Sequence, residues 1–383
     1  MNKITKINET HLKETYIFPE NKYVTATIDI QAIKHNIDFL RNITGTELMP
    51  VVKADAYGHG LIEMSKILRT LGIKYLGVAT LGEAIFLRKS GDNGRILGWL
   101  YNVDGKELID AFNLDIDVAI CDEEIIPKFT SLIPKNKKVK VTMFVDTGIN
   151  RAGISYEKAM QAFKDVAQCK NVDLVGMMSH LVCSGVKNSP IIKEQLRKFR
   201  ELRKKLEEIG IRPPLVHIAN TGGCVNYDVS DFTVSRPGRA IYGISADLKY
   251  DSRLKLIMSV TSQILQIKEI EEGSGIGYDW EYIAPQKMMI CIIPIGYADI
   301  IPRNTSFKLN VYINGTKRKV LGRISMDQIV AESNKTDKIN DMVFIFGNKE
   351  NCPQTIYDVS DIANSIPSEI LTKIGDRVNR VYV

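Results

Sequence analysis

Polar residues follow several apolar, strand-like runs of this 383-residue chain. Lys53 ends the run in VVKADAYGHG, Arg151 lies in VDTGINRAG and His180 ends MMSH, while two further runs lead to residues 220–223, Asn-Thr-Gly-Gly, and residues 236–238, Arg-Pro-Gly. Each alone has an ordinary interpretation, as a solvated lysine, a hydrogen-bonded core histidine or a surface ion pair. Together, a lysine able to form an imine, a Thr-Gly-Gly loop with backbone donors for a phosphate, and arginines at the same rim predict a site for pyridoxal 5'-phosphate (PLP).

The elements that would position these residues alternate between short β-branched runs and segments of helical period, as repeated βα units do. A parallel barrel collects reactive groups at the C-terminal ends of its strands, where the loops and the helix N-termini meet. The predicted strands number eight, which closes such a barrel. They cover residues 48–54, 75–80, 95–100, 117–122, 139–147, 172–180, 215–220 and 232–244.

The pattern changes after residue 250 to consecutive strands with turn signals such as Asn314-Gly315. We therefore predict an α/β chain with a (β/α)8 TIM-type barrel followed by a mainly β C-terminal domain. The predicted division is a polar lead or linker over residues 1–23, the barrel over residues 24–246 and the β domain over residues 247–383. The length supports this division, because one core seldom organises so many residues.

Composition excludes several other classes of protein. The net charge of +6 arises from 51 scattered basic and 45 acidic residues, so nucleic-acid binding gains little support. No apolar run approaches the ~20 residues needed to span a bilayer, and the first residues lack a signal-peptide core. We expect a cytoplasmic chain without membrane contact of its own, acting on a small molecule.

Longer motifs make a family resemblance specific. VVKADAYGHG, VDTGINRAGI, MMSH, HIANTGG, RPGRAIYGI, GIGYDWEYIAP, PIGYADIIPR and GRISMDQ resemble the successive motifs of alanine racemases, in family order over roughly residues 24–383. The resemblance implies a barrel and a β domain, PLP as cofactor, and a head-to-tail homodimer in which the β domain of one subunit completes the active site on the barrel of the other.

The resemblance also implies residue roles. Lys53 would bind PLP covalently and act with Tyr278 as the two acid/base groups that racemisation needs on opposite faces of Cα. His180 would activate Tyr278 within a network that includes Arg236, which faces the pyridine nitrogen and disfavours transamination. The remaining cofactor residues implied are Tyr57, Arg151, Asn220, Thr221, Gly238 and Arg239. On the substrate side the resemblance implies Arg151, Tyr297, Met326, Asp327 and the residue at position 376.

Three positions depart from the family pattern. Phe144 replaces a lysine that many members carbamylate, and Arg239 replaces a branched apolar residue. Asp376 replaces a tyrosine that narrows the substrate site, so a serine hydroxyl would find room and a partner there. This last departure resembles the serine racemase domain of membrane-bound racemases from vancomycin-resistance operons. The expected substrates are therefore serine and alanine, the product would serve peptidoglycan precursors, and the polar lead fits a linker from a membrane-anchored protein.

Alternative functions remain open at this stage. They are an ordinary alanine racemase, a PLP decarboxylase of the same architecture, and a barrel-only PLP carrier. The carrier is disfavoured by the β domain with Tyr278. The decarboxylase is disfavoured because the GYDWEY and SMDQ loops lack the expected cysteine. A metal-dependent hydrolase is set aside, because the five histidines lack the spacing of metal ligands.

Overall fold

The structure is a computed structural model that describes residues 21–350 and 352–383. The predicted lead over residues 1–23 lies outside the described residues except for its last three. The described chain forms two compact units. The barrel unit comprises Thr27–Ser259, Ile345–Lys373 and Tyr382–Val383. The β unit comprises Val260–Phe344, Ile374–Val381 and the described residues up to Ala26.

Strands and helices alternate in the first two thirds of the chain, and strands predominate afterwards. The strands are β1 (Asn21–Ile28), β2 (Glu47–Leu48), β3 (Tyr75–Thr80), β4 (Arg95–Leu100), β5 (Asp117–Ile120), β6 (Val139–Asp146), β7 (Ile154–Ser155), β8 (Val172–Met178), β9 (Leu215–His217), β10 (Val234–Ser235), β11 (Met258–Gln263), β12 (Gln266–Ile270), β13 (Gly275–Ile276), β14 (Tyr282–Ile283), β15 (Met288–Ile293), β16 (Asn310–Ile313), β17 (Thr316–Leu321), β18 (Ile329–Glu332), β19 (Met342–Phe346) and β20 (Val378–Tyr382). The helices are α1 (Ile30–Thr44), α2 (Lys53–Gly58), α3 (Leu61–Thr70), α4 (Leu81–Lys89), α5 (Lys106–Asn113), α6 (Ile126–Ser131), α7 (Tyr156–Ala167), α8 (Pro190–Glu208), α9 (Thr221–Asn226), α10 (Ile356–Ile362) and α11 (Pro367–Leu371).

Eight parallel strands close into a ring in the barrel unit. Strands β3, β4, β5, β6, β8 and β9 pair in that order. Strand β2 pairs with β10, and a bridge between Val51 and Gly77 joins its continuation to β3. The ring closes between β9 and β10, where the amide of Arg236 donates to the carbonyl of Ala219 over 2.8 Å. The predicted eight-stranded barrel is confirmed.

A cluster of apolar side chains fills the barrel interior, as in other closed barrels of parallel strands. Seven buried residues form it, with Tyr75 of β3 packed against them. The seven come from the other strands or their continuations: Met49, Leu97, Ala119, Phe144, Met178, Leu215 and Val234. Helices cover the outside through apolar stripes of helical period, as α8 does with buried residues Ile192, Leu196, Phe199, Leu202 and Leu206.

Most of the later strands belong to a nine-stranded sheet with the order β12-β15-β18-β17-β16-β19-β11-β1-β20, and β13 pairs separately with β14. The predicted hairpin turn is present between β16 and β17, where Asn314 and Gly315 both have positive φ, as a tight two-residue turn requires. This confirms the predicted mainly β C-terminal part. Helices α10 and α11 interrupt it and belong to the barrel unit. Within the described residues, every helix is too short or too polar to cross a bilayer.

Candidate active site

A cavity of about 170 Å³ opens at the C-terminal ends of the barrel strands. All nine residues that the sequence analysis assigned to the barrel side of the site line it, and four apolar residues complete its wall. The assigned residues are Lys53, Tyr57, Arg151, His180, Asn220, Thr221, Arg236, Gly238 and Arg239. The apolar residues are Val51, Trp99, Phe144 and Met178.

Lys53 stands at the start of an unusual turn. The four residues after it, Ala54 to Tyr57, have φ between 52° and 56° and follow a left-handed path. Such a path costs roughly 1–2 kcal/mol for each non-glycine residue, so surrounding contacts must hold it. The pKa of Lys53 is lowered by burial and by the nearby Arg151 guanidinium, and Glu83 opposes this shift. A lysine in this setting is more readily deprotonated than a solvated one.

Arg236 lies at the centre of a buried network. It is 3% exposed, and its Nη1 donates to Nδ1 of His217 over 2.6 Å. Its Nη2 donates to the carbonyl of Ser179 over 2.7 Å and lies 3.5 Å from Nδ1 of His180. The two histidines thus present acceptor nitrogens to one guanidinium.

Burial and this guanidinium keep both imidazoles neutral. The pKa of His180 is lowered to about 3 by burial, with Arg236, Arg151 and Lys53 adding to the shift. Burial, assisted by Arg236, also holds the pKa of His217 well below its usual value. Burial lowers the pKa of Arg236 only to about 10, so it stays charged near neutral pH.

His217 had no role in the sequence analysis, and the structure shows that it orients Arg236. The signal was present in LVHIAN, because a histidine within a buried strand needs a polar partner. Its Nε2 is buried and finds no hydrogen-bond partner among the described residues. Burying this nitrogen without a partner costs free energy of folding, and the hydrogen bond from Arg236 to Nδ1 offsets that cost.

One end of the cavity carries polar groups of a kind suited to an anion. Tyr57, Thr221, Gly238 and Arg239 meet there, and the hydroxyl of Thr221 accepts from the amide of Ala240 over 3.1 Å. A Cβ at position 238 would lie 2.7 Å from the Tyr57 hydroxyl, so a larger residue would displace that hydroxyl. Burial raises the pKa of Tyr57 to about 12, which keeps its hydroxyl a donor.

Asn220 joins this end to the histidine network. It caps α9, its side-chain oxygen accepting from the amide of Gly223 over 3.1 Å. Its Nδ2 donates to the carbonyl of Leu181 over 3.0 Å and lies 3.4 Å from Nε2 of His180.

Two of the three departures from the family pattern line the cavity. Phe144 is buried in the apolar cluster of the barrel interior, so this position offers Arg151 no polar partner. Arg151 follows a turn in which the carboxylate of Asp146 accepts hydrogen bonds from three backbone amides. One of these is the amide of Arg151, at 3.2 Å. Arg239 faces the cavity and donates to the carbonyl of Ala246 over 3.2 Å.

The β unit holds the remaining predicted residues on exposed loops. Tyr297 and Met326 are adjacent, since the amide of Tyr297 donates to Ser325 and that of Ala298 to Met326. Arg377 binds the buried Asp299 over 2.8 Å and Asp327 over 2.8 Å. Asp376, the third departure, is the exposed neighbour of this arginine. The structure thus brings Tyr297, Met326, Asp327 and Asp376 together on three linked loops.

Tyr278 occupies a separate loop of the β unit. Its ring is 65% exposed, and Trp280 beside it is 68% exposed. Arg323 holds this loop by ion pairs with Asp279, which lies between the two rings in sequence, and with Glu281, which follows them. Within the described residues, no group of three or more His, Cys, Asp or Glu side chains could hold a metal ion.

Comparison with known proteins identifies the family. Residues 28–246 match the N-terminal domain of alanine racemase and residues 257–382 match its C-terminal domain. The alanine racemase of Thermobifida fusca is 31% identical, with 94% of this chain and 98% of that protein aligned. That of Streptomyces coelicolor is 33% identical over 94% and 95% of the two chains.

Solved structures of alanine racemases support the same family assignment. The alanine racemase from Streptomyces coelicolor A3(2) superposes with a TM-score of 0.87 at 32% identity, covering 94% of this chain and 98% of that one. The alanine racemase from Bartonella henselae with covalently bound pyridoxal phosphate gives a TM-score of 0.82 at 30% identity, covering 94% and 99%. On these matches the chain belongs to the alanine racemase family and is a PLP-dependent amino-acid racemase.

Proposed function

We propose that this racemase interconverts the L and D forms of alanine and serine with Lys53 and Tyr278 as the two acid/base groups. The observation that carries the proposal is the single cavity that unites a pKa-lowered lysine, an anion-binding end and a charged arginine between two neutral histidines. Removing a Cα proton from one face and returning it on the other requires two such groups on opposite sides.

The donor set of the cavity fits PLP. Tyr57, Thr221, Gly238 and Arg239 would hold its phosphate, Arg236 its pyridine nitrogen and Arg151 its phenolic oxygen. Lys53 would bind it covalently, since burial and Arg151 raise the fraction of its neutral amine. When bound, PLP acidifies the Cα proton of an attached amino acid. Because Arg236 stays charged at neutral pH, it leaves the pyridine nitrogen unprotonated, which disfavours transamination.

His180 would control the second proton. Both ring nitrogens face donors, Arg236 at Nδ1 and the Asn220 amide nitrogen at Nε2, and the neutral ring can accept from only one of them. We propose that the charged Arg236 takes the acceptor nitrogen, which places the proton on Nε2. We propose that this Nε2–H donates to the phenolic oxygen of Tyr278 and stabilises its ionised form. The neutral state of His180 matters, because only a neutral ring can both accept from the arginine and donate to the tyrosine.

We propose a homodimer in which Tyr278 of the partner subunit completes each cavity. The support is the exposed apolar surface on loops of the β unit, where Tyr278, Trp280, Tyr297 and Met326 are 41–68% exposed. Large apolar side chains that are exposed in adjacent pairs, as on these two loops, mark interaction surfaces more often than singly exposed ones do. In this proposed dimer, residues 24–246 form the cofactor-binding part, and residues 247–383 form the part that completes the cavity of the partner subunit.

The proposed turnover of serine rests on Asp376. Its short carboxylate leaves the loop beside Arg377 open and offers an acceptor for a hydroxyl. All six cysteines are unpaired, which supports a reducing compartment. We therefore propose a cytoplasmic catalytic part that supplies D-alanine and D-serine to peptidoglycan precursors, the latter in vancomycin resistance.

A chiral assay tests this function. PLP-loaded protein is given L-alanine and L-serine in parallel, and the D products are separated and quantified, with Lys53→Ala protein as the control. Turnover of both substrates supports the proposal, and turnover of alanine alone reduces it to an ordinary alanine racemase. Release of carbon dioxide from diamino acids, without racemisation, would overturn it in favour of a decarboxylase.

Mixed dimers test the shared site. Lys53→Ala and Tyr278→Phe chains are each inactive in racemisation, but a heterodimer has one cavity with both wild-type groups if Tyr278 comes from the partner subunit. Mixing the two after subunit exchange should restore about a quarter of wild-type activity. No recovery in proven heterodimers would show that each chain uses its own Tyr278.

A further inference from the structure

Glu83 makes contacts that the capping of its own helix does not need. It is the third residue of α4, and with Thr80 it forms a capping box. Within that box the Glu83 amide donates to the Thr80 hydroxyl over 3.2 Å, and Oε2 accepts the Thr80 amide over 3.0 Å. The cap is complete with these two bonds. The other carboxylate oxygen takes no part in it.

That second oxygen reaches the catalytic turn. Oε1 of Glu83 accepts the amide of Ala54 over 2.7 Å, across 29 residues of sequence. Ala54 directly follows Lys53 and is the first residue of the left-handed path. Oε2 also accepts the amide of Ala79, over 2.9 Å, which ties the carboxylate to the end of β3. One half-buried side chain therefore joins a barrel strand, a helix start and the turn that carries the lysine.

The left-handed path makes this contact necessary. Four successive non-glycine residues at positive φ are unfavourable, so the path persists only where its polar groups are bound. Asp55 supplies one anchor by accepting the amide of Leu61 over 2.7 Å, and the amide of Ala56 donates to Val52 over 2.9 Å. Glu83 supplies the anchor nearest to Lys53. Losing it would leave the Ala54 amide unpaired and the direction of the lysine stem less fixed.

We propose that Glu83 is a positioning residue for Lys53, locking the turn that begins at Ala54 and supplying the negative charge nearest to the lysine amine. This inference rests on the proposed role of Lys53 as the lysine that captures PLP.

The charge of Glu83 also acts on the amine. The charged or titratable groups that line the cavity with Lys53 are Arg151, His180, Arg236, Tyr57 and Arg239. Glu83 acts on the amine from α4, outside this lining. Arg151 favours the neutral amine, whereas Glu83 favours the ammonium. Removing the Glu83 charge should therefore lower the pKa of Lys53 further, and the neutral amine should appear at lower pH.

The experiment follows the capture of PLP by the cofactor-free full chain, by absorbance, as a function of pH. In Glu83→Gln the midpoint should move about 0.5–1 pH unit lower, and the plateau rate should fall about tenfold because the turn is loosened. Glu83→Asp keeps the charge but shortens the reach, so it should slow the plateau while leaving the midpoint unchanged. Glu83→Asp also serves as the test of the turn if Glu83→Gln does not fold.

Thr80→Ala is the matched control. It removes the other half of the capping box but leaves the bonds from Glu83 to Ala54 and Ala79, so both midpoint and plateau should stay at wild-type values. The proposal is overturned if Thr80→Ala reproduces the change, or if Glu83→Gln captures PLP like the wild type. Borohydride reduction and peptide mapping separate this from failure of the proposed function, since a label at another lysine would refute the role of Lys53 itself.

Discussion

The two parts of the candidate site differ in how their residues are held. In the barrel unit, Arg236 and His217 are almost fully buried and bind each other. In the β unit, Tyr278 and Met326 are at least half exposed, and ion pairs of Arg323 and Arg377 hold the loops rather than the functional side chains. A buried network is fixed by its own partners, whereas exposed rings gain a fixed position only against another surface. The barrel half is therefore preorganised, whereas the β half leaves its functional side chains exposed.

The largest effects should come from removing the two proton-transfer groups. Lys53→Ala should abolish covalent PLP binding and racemisation, measured by cofactor absorbance and the chiral assay. Tyr278→Phe should keep the cofactor, because the barrel cavity is intact, yet lose proton transfer from one face by about 10²–10⁴-fold. The two directions should then differ, as isotope exchange at Cα from each enantiomer would show. Equal residual exchange from both enantiomers would refute the two-base assignment.

A substitution inside the buried network should affect stability as well as activity. In His217→Leu, Nη1 of Arg236 loses the imidazole and keeps only the backbone carbonyl of residue 217, at 3.1 Å. The free energy of unfolding should therefore fall by about 1–3 kcal/mol. Denaturant unfolding measures this, and kcat should fall because Arg236 loses its orientation. His35→Leu, at an exposed histidine, should change stability by less than about 0.5 kcal/mol. Equal effects of the two variants would argue against a special role for His217.

The same contrast explains what the sequence could predict. The eight strands and their polar ends could be located because alternating patterns and strand-end chemistry are local signals, and all nine assigned barrel residues line one cavity. His217 and Glu83 were missed because their roles depend on partners distant in sequence, Arg236 and Ala54. The Thr80 to Glu83 capping box is readable in TLGE, but its spare oxygen is visible only in three dimensions.

A smaller effect is expected at the specificity position of the β unit. Asp376→Tyr should lower the ratio of serine to alanine turnover by roughly tenfold, because a ring fills the space and removes the acceptor for the hydroxyl. The chiral assay with both substrates measures the ratio. Asp361→Tyr, the same exchange at an exposed position of α10, should leave it unchanged. A ratio unaltered in Asp376→Tyr would remove Asp376 from the account of specificity.

The last prediction concerns the pH dependence of stability. The pKa of His180 is about 3 in the folded chain and near 6.5 when unfolded, so the unfolded state binds the extra proton between these values. The stability that depends on neutral His180 is therefore fully present above pH ~6.5 and is lost as the pH falls toward 3. The free energy of unfolding should fall by about 1.4 kcal/mol per pH unit in this range. His180→Gln should remove the part of this slope that comes from protonation of His180. The part that comes from His217 should remain. Unfolding free energies measured at several pH values below 6.5 would show it. An unchanged slope would mean that His180 is accessible and titrates normally, which would also end its proposed role as the neutral donor to Tyr278.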